Sequence, residues 1–160
     1  MELQNTARAL VGLLLEKKLT ISLAESCTGG MIAAALVECP GVSDALLEGC
    51  VCYSNAAKMR TLGVLTETLQ HHGAVSEACA LEMVHGICDY TGSDTAIAVT
   101  GIAGPGGGTA EKPVGTVYIA ALARGKVIVT HNVFSGDRLS VRTQSAVRAM
   151  EMLMDLLNER

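Results

Sequence analysis

The chain has no tryptophan, one phenylalanine (Phe134) and three tyrosines among 160 residues. A surface for single-stranded nucleic acid needs aromatic rings on which bases stack, and this chain has almost none. It also lacks a basic face: 12 Lys and Arg stand against 16 Asp and Glu, and no Lys/Arg run occurs. A nucleic-acid partner is therefore not expected. No apolar run approaches the roughly 20 residues of a membrane-spanning helix, so no membrane partner is expected either. Glu2, Gln4 and Asn5 stand where a signal peptide carries its basic residues, which predicts a cytoplasmic protein. None of the six cysteines (Cys27, Cys39, Cys50, Cys52, Cys79, Cys88) forms a C-x-x-C pair, and zinc spacing is missing. They read as reduced, small apolar residues, with no metal and no cofactor expected. Cys50 and Cys52 would share one face of a strand.

What is present is enough for one core. The apolar fraction is 49%, and the length suits one domain over residues 1–160. Ala, Val, Leu, Ile and Met must fill that core, which favours helices packed closely on both faces of a sheet. Periodicity predicts a helix over 4–18, with Ala7, Leu10, Val11 and Leu14 as its stripe. A strand over 19–24 and an alanine-rich helix over 31–39 follow. Next come a strand over 46–53 and a short helix over 55–62. Thr66 and Ser76 are candidate caps for two further helices, and His71-His72 reads as a solvated helix end. TAIAVT over 95–100 reads as a doubly buried strand. Arg124-Gly125 joins strands 115–123 and 126–134 as a hairpin, and the last helix runs over 138–158. This order predicts an α/β fold, a three-layer α/β/α sandwich with a mixed, partly parallel sheet.

Three polar segments each follow a strand: Glu25-Ser-Cys-Thr-Gly-Gly30, Tyr53-Ser-Asn-Ala-Ala-Lys58 and Thr100-Gly-Ile-Ala-Gly-Pro-Gly-Gly107. Ligands in open α/β sheets bind at the carboxyl ends of strands, where these segments would meet. Ser26 and Thr28 precede a helix, as a nucleophile or anion site would, or as a simple N-cap would. Gly29-Gly30 favours a site that something approaches closely. Lys58 sits in a cluster with Tyr53, Ser54 and Asn55. It would act as a base only if burial or a neighbouring charge lowered its pKa, and otherwise it is a solvated surface lysine. The glycine-rich loop is neither a Walker A loop nor a dinucleotide fingerprint. Arg138 and Arg142 share a helix face and read equally as a phosphate clamp or as partners of nearby acids.

Taken together, Ala24-Glu-Ser-Cys-Thr-Gly-Gly30, Tyr53-Ser-Asn-x-x-Lys58 and Gly73-Ala-Val-Ser-Glu77 resemble the CinA C-terminal domain family. Thr100-Gly-Ile-Ala-Gly-Pro105, Lys112-Pro-Val-Gly-Thr-Val117 and Phe134-Ser-Gly-Asp-Arg138 complete the resemblance, in order and across nearly the whole chain. The resemblance implies a standalone nicotinamide-nucleotide amidohydrolase. Nicotinamide mononucleotide and water would give nicotinate mononucleotide and ammonia, in pyridine nucleotide recycling. It also implies an α/β/α fold, a homo-oligomer and no cofactor or metal. A carboxamide needs a strong nucleophile, a proton donor for ammonia and a stabilised oxyanion. On this reading Ser26 is the nucleophile, Lys58 the general base and Tyr53 a proton relay. Thr28 and Thr100, with backbone N–H groups near Gly29 and Gly101, would hold the oxyanion. The Gly101–Gly107 loop, Gly104 included, would take ribose and phosphate with Arg138 and Arg142. Glu25 and Asn55 complete the substrate-binding set. Attack by Lys58-activated water, with Ser26 only binding, is the variant. The alternative function is a non-catalytic nucleotide-binding module accessory to competence or recombination.

Overall fold

The computed structural model describes residues 2–159. Five strands form one sheet in the order β2-β1-β3-β4-β5: β1 Ile21–Glu25, β2 Leu46–Val51, β3 Thr95–Gly101, β4 Thr116–Ala123 and β5 Lys126–Val133. Strand β1 runs parallel to β2 and β3, while β4 and β5 are antiparallel. The six helices are α1 Glu2–Lys17, α2 Met31–Val37, α3 Asn55–Leu62, α4 Thr66–His72, α5 Glu77–Thr91 and α6 Arg138–Asn158. The expected mixed α/β/α sandwich is what forms. The carboxyl ends of β1, β2 and β3 point the same way, which places the three polar segments on one rim.

The two faces of the sheet carry different side chains, because residues alternate along a strand. Ile97 and Val99 of β3 face a core built with α1, α2 and α6. Ala96 and Ala98 face α5, together with Ala24 and Ala120. Small side chains there bring α5 close to the sheet, which suits a core with few aromatic rings. The stripe Ala7, Leu10, Val11 and Leu14 is buried as the periodicity requires, and so is Ala80, Met83, Val84 and Ile87. Cys27, Cys39, Cys52 and Cys79 are buried, in keeping with their reading as small apolar residues. Cys50 and Cys52 do share a face, with their sulfurs 3.5 Å apart. Among the described residues, no helix is long and apolar enough to cross a membrane.

Element ends shift for tertiary reasons. Strand β1 extends to Glu25 because that residue pairs with both Val51 and Val99. Strand β2 stops at Val51, so Cys52 and Tyr53 turn their carbonyls away from the sheet ladder. Ser76 caps α5 as expected, accepting from the Cys79 N–H at 3.1 Å. Thr66 does not cap α4: it is the first helical residue, and its hydroxyl turns to the Met59 sulfur. The α4 entry is held instead by Glu82 of α5, which accepts from the Leu65 N–H and the Thr68 hydroxyl.

Helix α3 sits directly on α5 at Gly86. A Cβ at this position would lie 2.0 Å from the Leu62 carbonyl oxygen. Helix propensity alone favours alanine there by about 1 kcal/mol. The close approach reverses that sign, because backbone would have to move. Gly86→Ala is expected to destabilise the fold by about 1–3 kcal/mol in urea unfolding, as overpacking does. A gain in stability would show that α3 and α5 are not in this contact.

Candidate active site

The β1–α2 segment is held from three sides. The Ser26 N–H donates to the Val99 carbonyl at 3.0 Å, which extends the β1–β3 pairing by one residue. The Glu25 carboxylate, buried, accepts from the Ile32 and Ala33 N–H groups at 3.0 Å each. Those are free donors at the start of α2, where negative charge is favoured. Arg142 of α6 donates through Nε to the Cys27 carbonyl at 3.1 Å and through Nη2 to the Thr28 carbonyl at 2.9 Å. The chain turns through Gly29 (φ 60°) and Gly30 (φ 93°) in the left-handed region, which explains the paired glycines. Neither Ser26 nor Thr28 caps α2; Gly30 occupies that position, without a side-chain cap.

The β2–α3 segment delivers Lys58. Ser54 caps α3 by accepting from the Ala57 N–H at 3.1 Å. One turn into the helix, Lys58 points inward and is 1% exposed. Its Nζ lies 3.0 Å from the Ser26 Oγ, 2.9 Å from the Cys52 carbonyl oxygen and 3.0 Å from that of Tyr53. Among the described residues, no carboxylate forms an ion pair with it. Burial therefore pushes its pKa below the ordinary 10.5. The thiols of Cys79, Cys52 and Cys27 would oppose that shift only if ionised. Burial instead raises Cys79 and Cys27 to about 11, so both stay neutral near pH 7.

The two carbonyls can only accept, and Ser26 can either accept or donate. As an ammonium, Lys58 gives one hydrogen to each of the three oxygens. As a neutral amine it keeps the two carbonyls and turns its lone pair to the Ser26 O–H. A proton can pass between Oγ and Nζ with no other partner changing.

The third segment closes the rim. Arg138 donates through Nη1 to the Gly104 carbonyl at 2.7 Å and through Nη2 to the Tyr53 hydroxyl at 2.8 Å. It thus ties the β2–α3 segment to the glycine-rich loop. The glycines of that loop answer to its own packing. A Cβ on Gly101 would meet Val117 at 2.6 Å, and one on Gly104 (φ 84°) would meet Val114 at 2.4 Å.

Several expected roles change in this geometry. Tyr53 is 58% exposed and its phenol pairs with Arg138, so its backbone carbonyl meets Lys58 and the ring does not. The Thr100 hydroxyl donates to the Ala74 carbonyl at 2.8 Å. Both Glu25 oxygens are engaged by α2. Among the described residues, Arg138 and Arg142 pair with no acid; their partners are neutral oxygens. Asn55 is exposed at the first turn of α3. Thr28 is fully buried, and its Oγ1 has no hydrogen-bond partner among the described residues. Sequence reasoning passed over the Cys52 carbonyl, which no residue identity could announce. It also passed over Asp137, which caps α6 through the Ser140 N–H at 2.8 Å. An Asp directly before a long amphipathic run was the available signal. Among the described residues, no group of three His, Cys, Asp or Glu could hold a metal ion.

Known proteins share this arrangement of elements. The crystal structure of competence/damage inducible protein CihA from Agrobacterium tumefaciens superposes with a TM-score of 0.96 at 45% identity, covering 99% of this chain and 97% of that one. A CinA superfamily protein from Escherichia coli gives 0.93 at 34% identity, covering 96% and 90%. The CinA-like protein of Thermotoga maritima is 47% identical over 151 residues, 94% of this chain and 37% of the relative. The chain thus spans about a third of the length of the curated relatives it matches, 34% to 37% in the first three. The family model of the CinA C-terminal domain matches residues 3–157, and the chain belongs to that family.

Proposed function

We propose that the chain is an amidohydrolase acting on the carboxamide of nicotinamide mononucleotide, releasing ammonia and nicotinate mononucleotide. The observation that carries this reading is the Lys58–Ser26 contact, a buried lysine without a carboxylate partner 3.0 Å from a serine hydroxyl. A desolvated amine next to a hydroxyl is a way to activate a serine without histidine. Neutral Lys58 takes the Ser26 proton as Oγ attacks the carboxamide carbon. The resulting ammonium returns that proton to the nitrogen as the C–N bond breaks, and ammonia leaves. Water, deprotonated by Lys58, then attacks the Ser26 ester; as the C–Oγ bond breaks the Lys58 ammonium returns its proton to Oγ, and the acid leaves as the carboxylate, its own proton going to solvent.

The supporting groups follow from their hydrogen bonds. The buried Thr28 hydroxyl has no protein partner and is available to the developing oxyanion. Arg138 rests on two neutral oxygens, and a phosphate would offer it a stronger, charged acceptor. Arg142 acts differently. It fixes the Cys27 and Thr28 carbonyls, and with them the position of Ser26. The reading includes a free nucleotide as substrate, a cytoplasmic setting and self-association of the chain.

Product analysis with purified protein and nicotinamide mononucleotide tests the reaction. Thermal stabilisation by the nucleotide without ammonia release would instead fit a binding module. Lys58→Met and Lys58→Arg are each expected to lower kcat by at least about 100-fold. Arginine retains charge but does not yield a proton near neutral pH, so rescue by Lys58→Arg would refute the base role. In the native enzyme, kcat/KM rises with pH along a limb set by a Lys58 pKa below 10.5.

Tyr53→Phe should keep kcat within about tenfold, because the backbone carbonyl is unchanged. A loss as large as that of Lys58→Met would restore the phenol as a relay.

Folding stability should report the same buried amine. Between the lowered folded pKa of Lys58 and 10.5, the unfolded chain binds the proton and the folded chain does not. Stability contributed by this group therefore rises with pH across that window. The buried cysteines act oppositely at higher pH, so the quantity to measure is the difference between wild type and Lys58→Met in urea unfolding. A difference independent of pH would mean that Lys58 titrates normally in the fold.

A further inference from the structure

Two of the motif segments, Gly73–Glu77 and Lys112–Val117, take no part in the Ser26–Lys58 chemistry. They meet instead at a groove of about 650 Å³ between the end of α4, the start of α5 and β4. The Lys112 Nζ donates to the His72 carbonyl at 2.7 Å. Gly73, with φ 75°, turns the chain there, and a Cβ on it would lie 3.5 Å from that ammonium. His71, His72, Ser76, Glu77, Lys112 and Tyr118 line the groove. Neither Ser26 nor Lys58 is among the lining residues.

The lining selects a type of ligand. Among the described residues, Lys112 forms no ion pair, and its one protein acceptor is a neutral carbonyl. Two of its N–H donors remain for an anion. The exposed imidazoles of His71 and His72 stand beside it at the last turn of α4. Tyr118 stacks on His131 with ring centroids 4.6 Å apart and 10° between planes, which makes a flat two-ring platform in a chain with four aromatic Phe and Tyr side chains. Glu77 supplies an acceptor for hydroxyl donors such as those of a ribose. The volume falls in the range of about 300–1,000 Å³ that holds small ligands. We propose that this groove is a second binding site, separate from Ser26 and Lys58, for a nucleoside monophosphate whose phosphate meets Lys112 and whose base lies against Tyr118.

The groove is joined to the first site. The Thr100 hydroxyl at the end of β3 donates to the Ala74 carbonyl, two residues before Ser76 of the lining.

Adenosine monophosphate is the probe, because it carries no carboxamide and cannot be turned over by the proposed chemistry. Calorimetric titration of the full chain should show one bound per chain. Lys112→Met should weaken binding at least about tenfold, the loss of a charged hydrogen bond, and Tyr118→Leu should weaken it as well. Ser26→Ala and Arg138→Met should leave it unchanged, with circular dichroism confirming that each variant is folded. Absence of saturable binding up to millimolar concentration overturns the proposal. So does binding that is lost in Arg138→Met and kept in Lys112→Met, which places the probe at the first site. Inorganic phosphate binding as tightly as the nucleotide would show that the ring is not read, and would overturn it too. Binding alone is measured, so none of these outcomes bears on ammonia release.

Discussion

The burial of one amine governs the site. Lys58 is among the largest fully buried side chains of the chain, and the others of that set are Leu, Ile and Met. An ammonium in such a position costs several kcal/mol unless it is paired. Here it is met by three oxygens, two of which are backbone carbonyls that cannot give a proton back. The remaining one, Ser26 Oγ, can. The balance between burial and these acceptors makes a proton exchange between lysine and serine accessible. A carboxylate beside Lys58 would stabilise the ammonium and work against the proposed base role.

The rest of the fold can be understood as support for that contact. Parallel strands β1, β2 and β3 bring their carboxyl ends to one rim, so residues 32 positions apart in sequence touch. Strand β2 ends one residue before Cys52, which frees the Cys52 and Tyr53 carbonyls to turn inward. Gly86 lets α3 settle against α5, and α3 carries Lys58. Glu25 and Arg142 immobilise the backbone on either side of Ser26. Held this way, the serine would need little rearrangement in the proposed reaction, which is how preorganised sites lower a barrier. Arg138 and Arg142 both bind neutral oxygens, but Arg138 is the more exposed, and its partners are the ones an anion would more readily replace.

What could be read in the sequence was local. The periodicity of α6 placed its ends correctly, because Arg138–Asn158 carries a long, regular apolar stripe. Arg124-Gly125 gave the hairpin, and Ser76 gave a cap, since both act over a few residues. Ser26 and Lys58 could be named because each stands in a polar segment directly after an apolar strand. Their partners could not. Glu25 acts on N–H groups seven and eight residues away, across a turn whose shape depends on two left-handed glycines. The carbonyls that hold Lys58 belong to residues whose side chains point elsewhere, so side-chain identity carried no signal. Tyr53 is expected from its hydroxyl, while the atom that meets Lys58 is its backbone carbonyl. The glycines at 101 and 104 looked like a ligand cradle, yet the space they leave is filled by Val117 and Val114.

The central claim is that Lys58 is held as a base for Ser26 by burial without a carboxylate partner. The most direct measurement is an NMR titration of the Lys58 side chain, labelled with ¹⁵N and ¹³C, in the folded protein. The account predicts a midpoint clearly below the ordinary 10.5, moving when Ser26 is replaced by alanine. A midpoint at or above 10.5 would contradict it, since Lys58 would then remain an ammonium throughout the working range and could not take the serine proton.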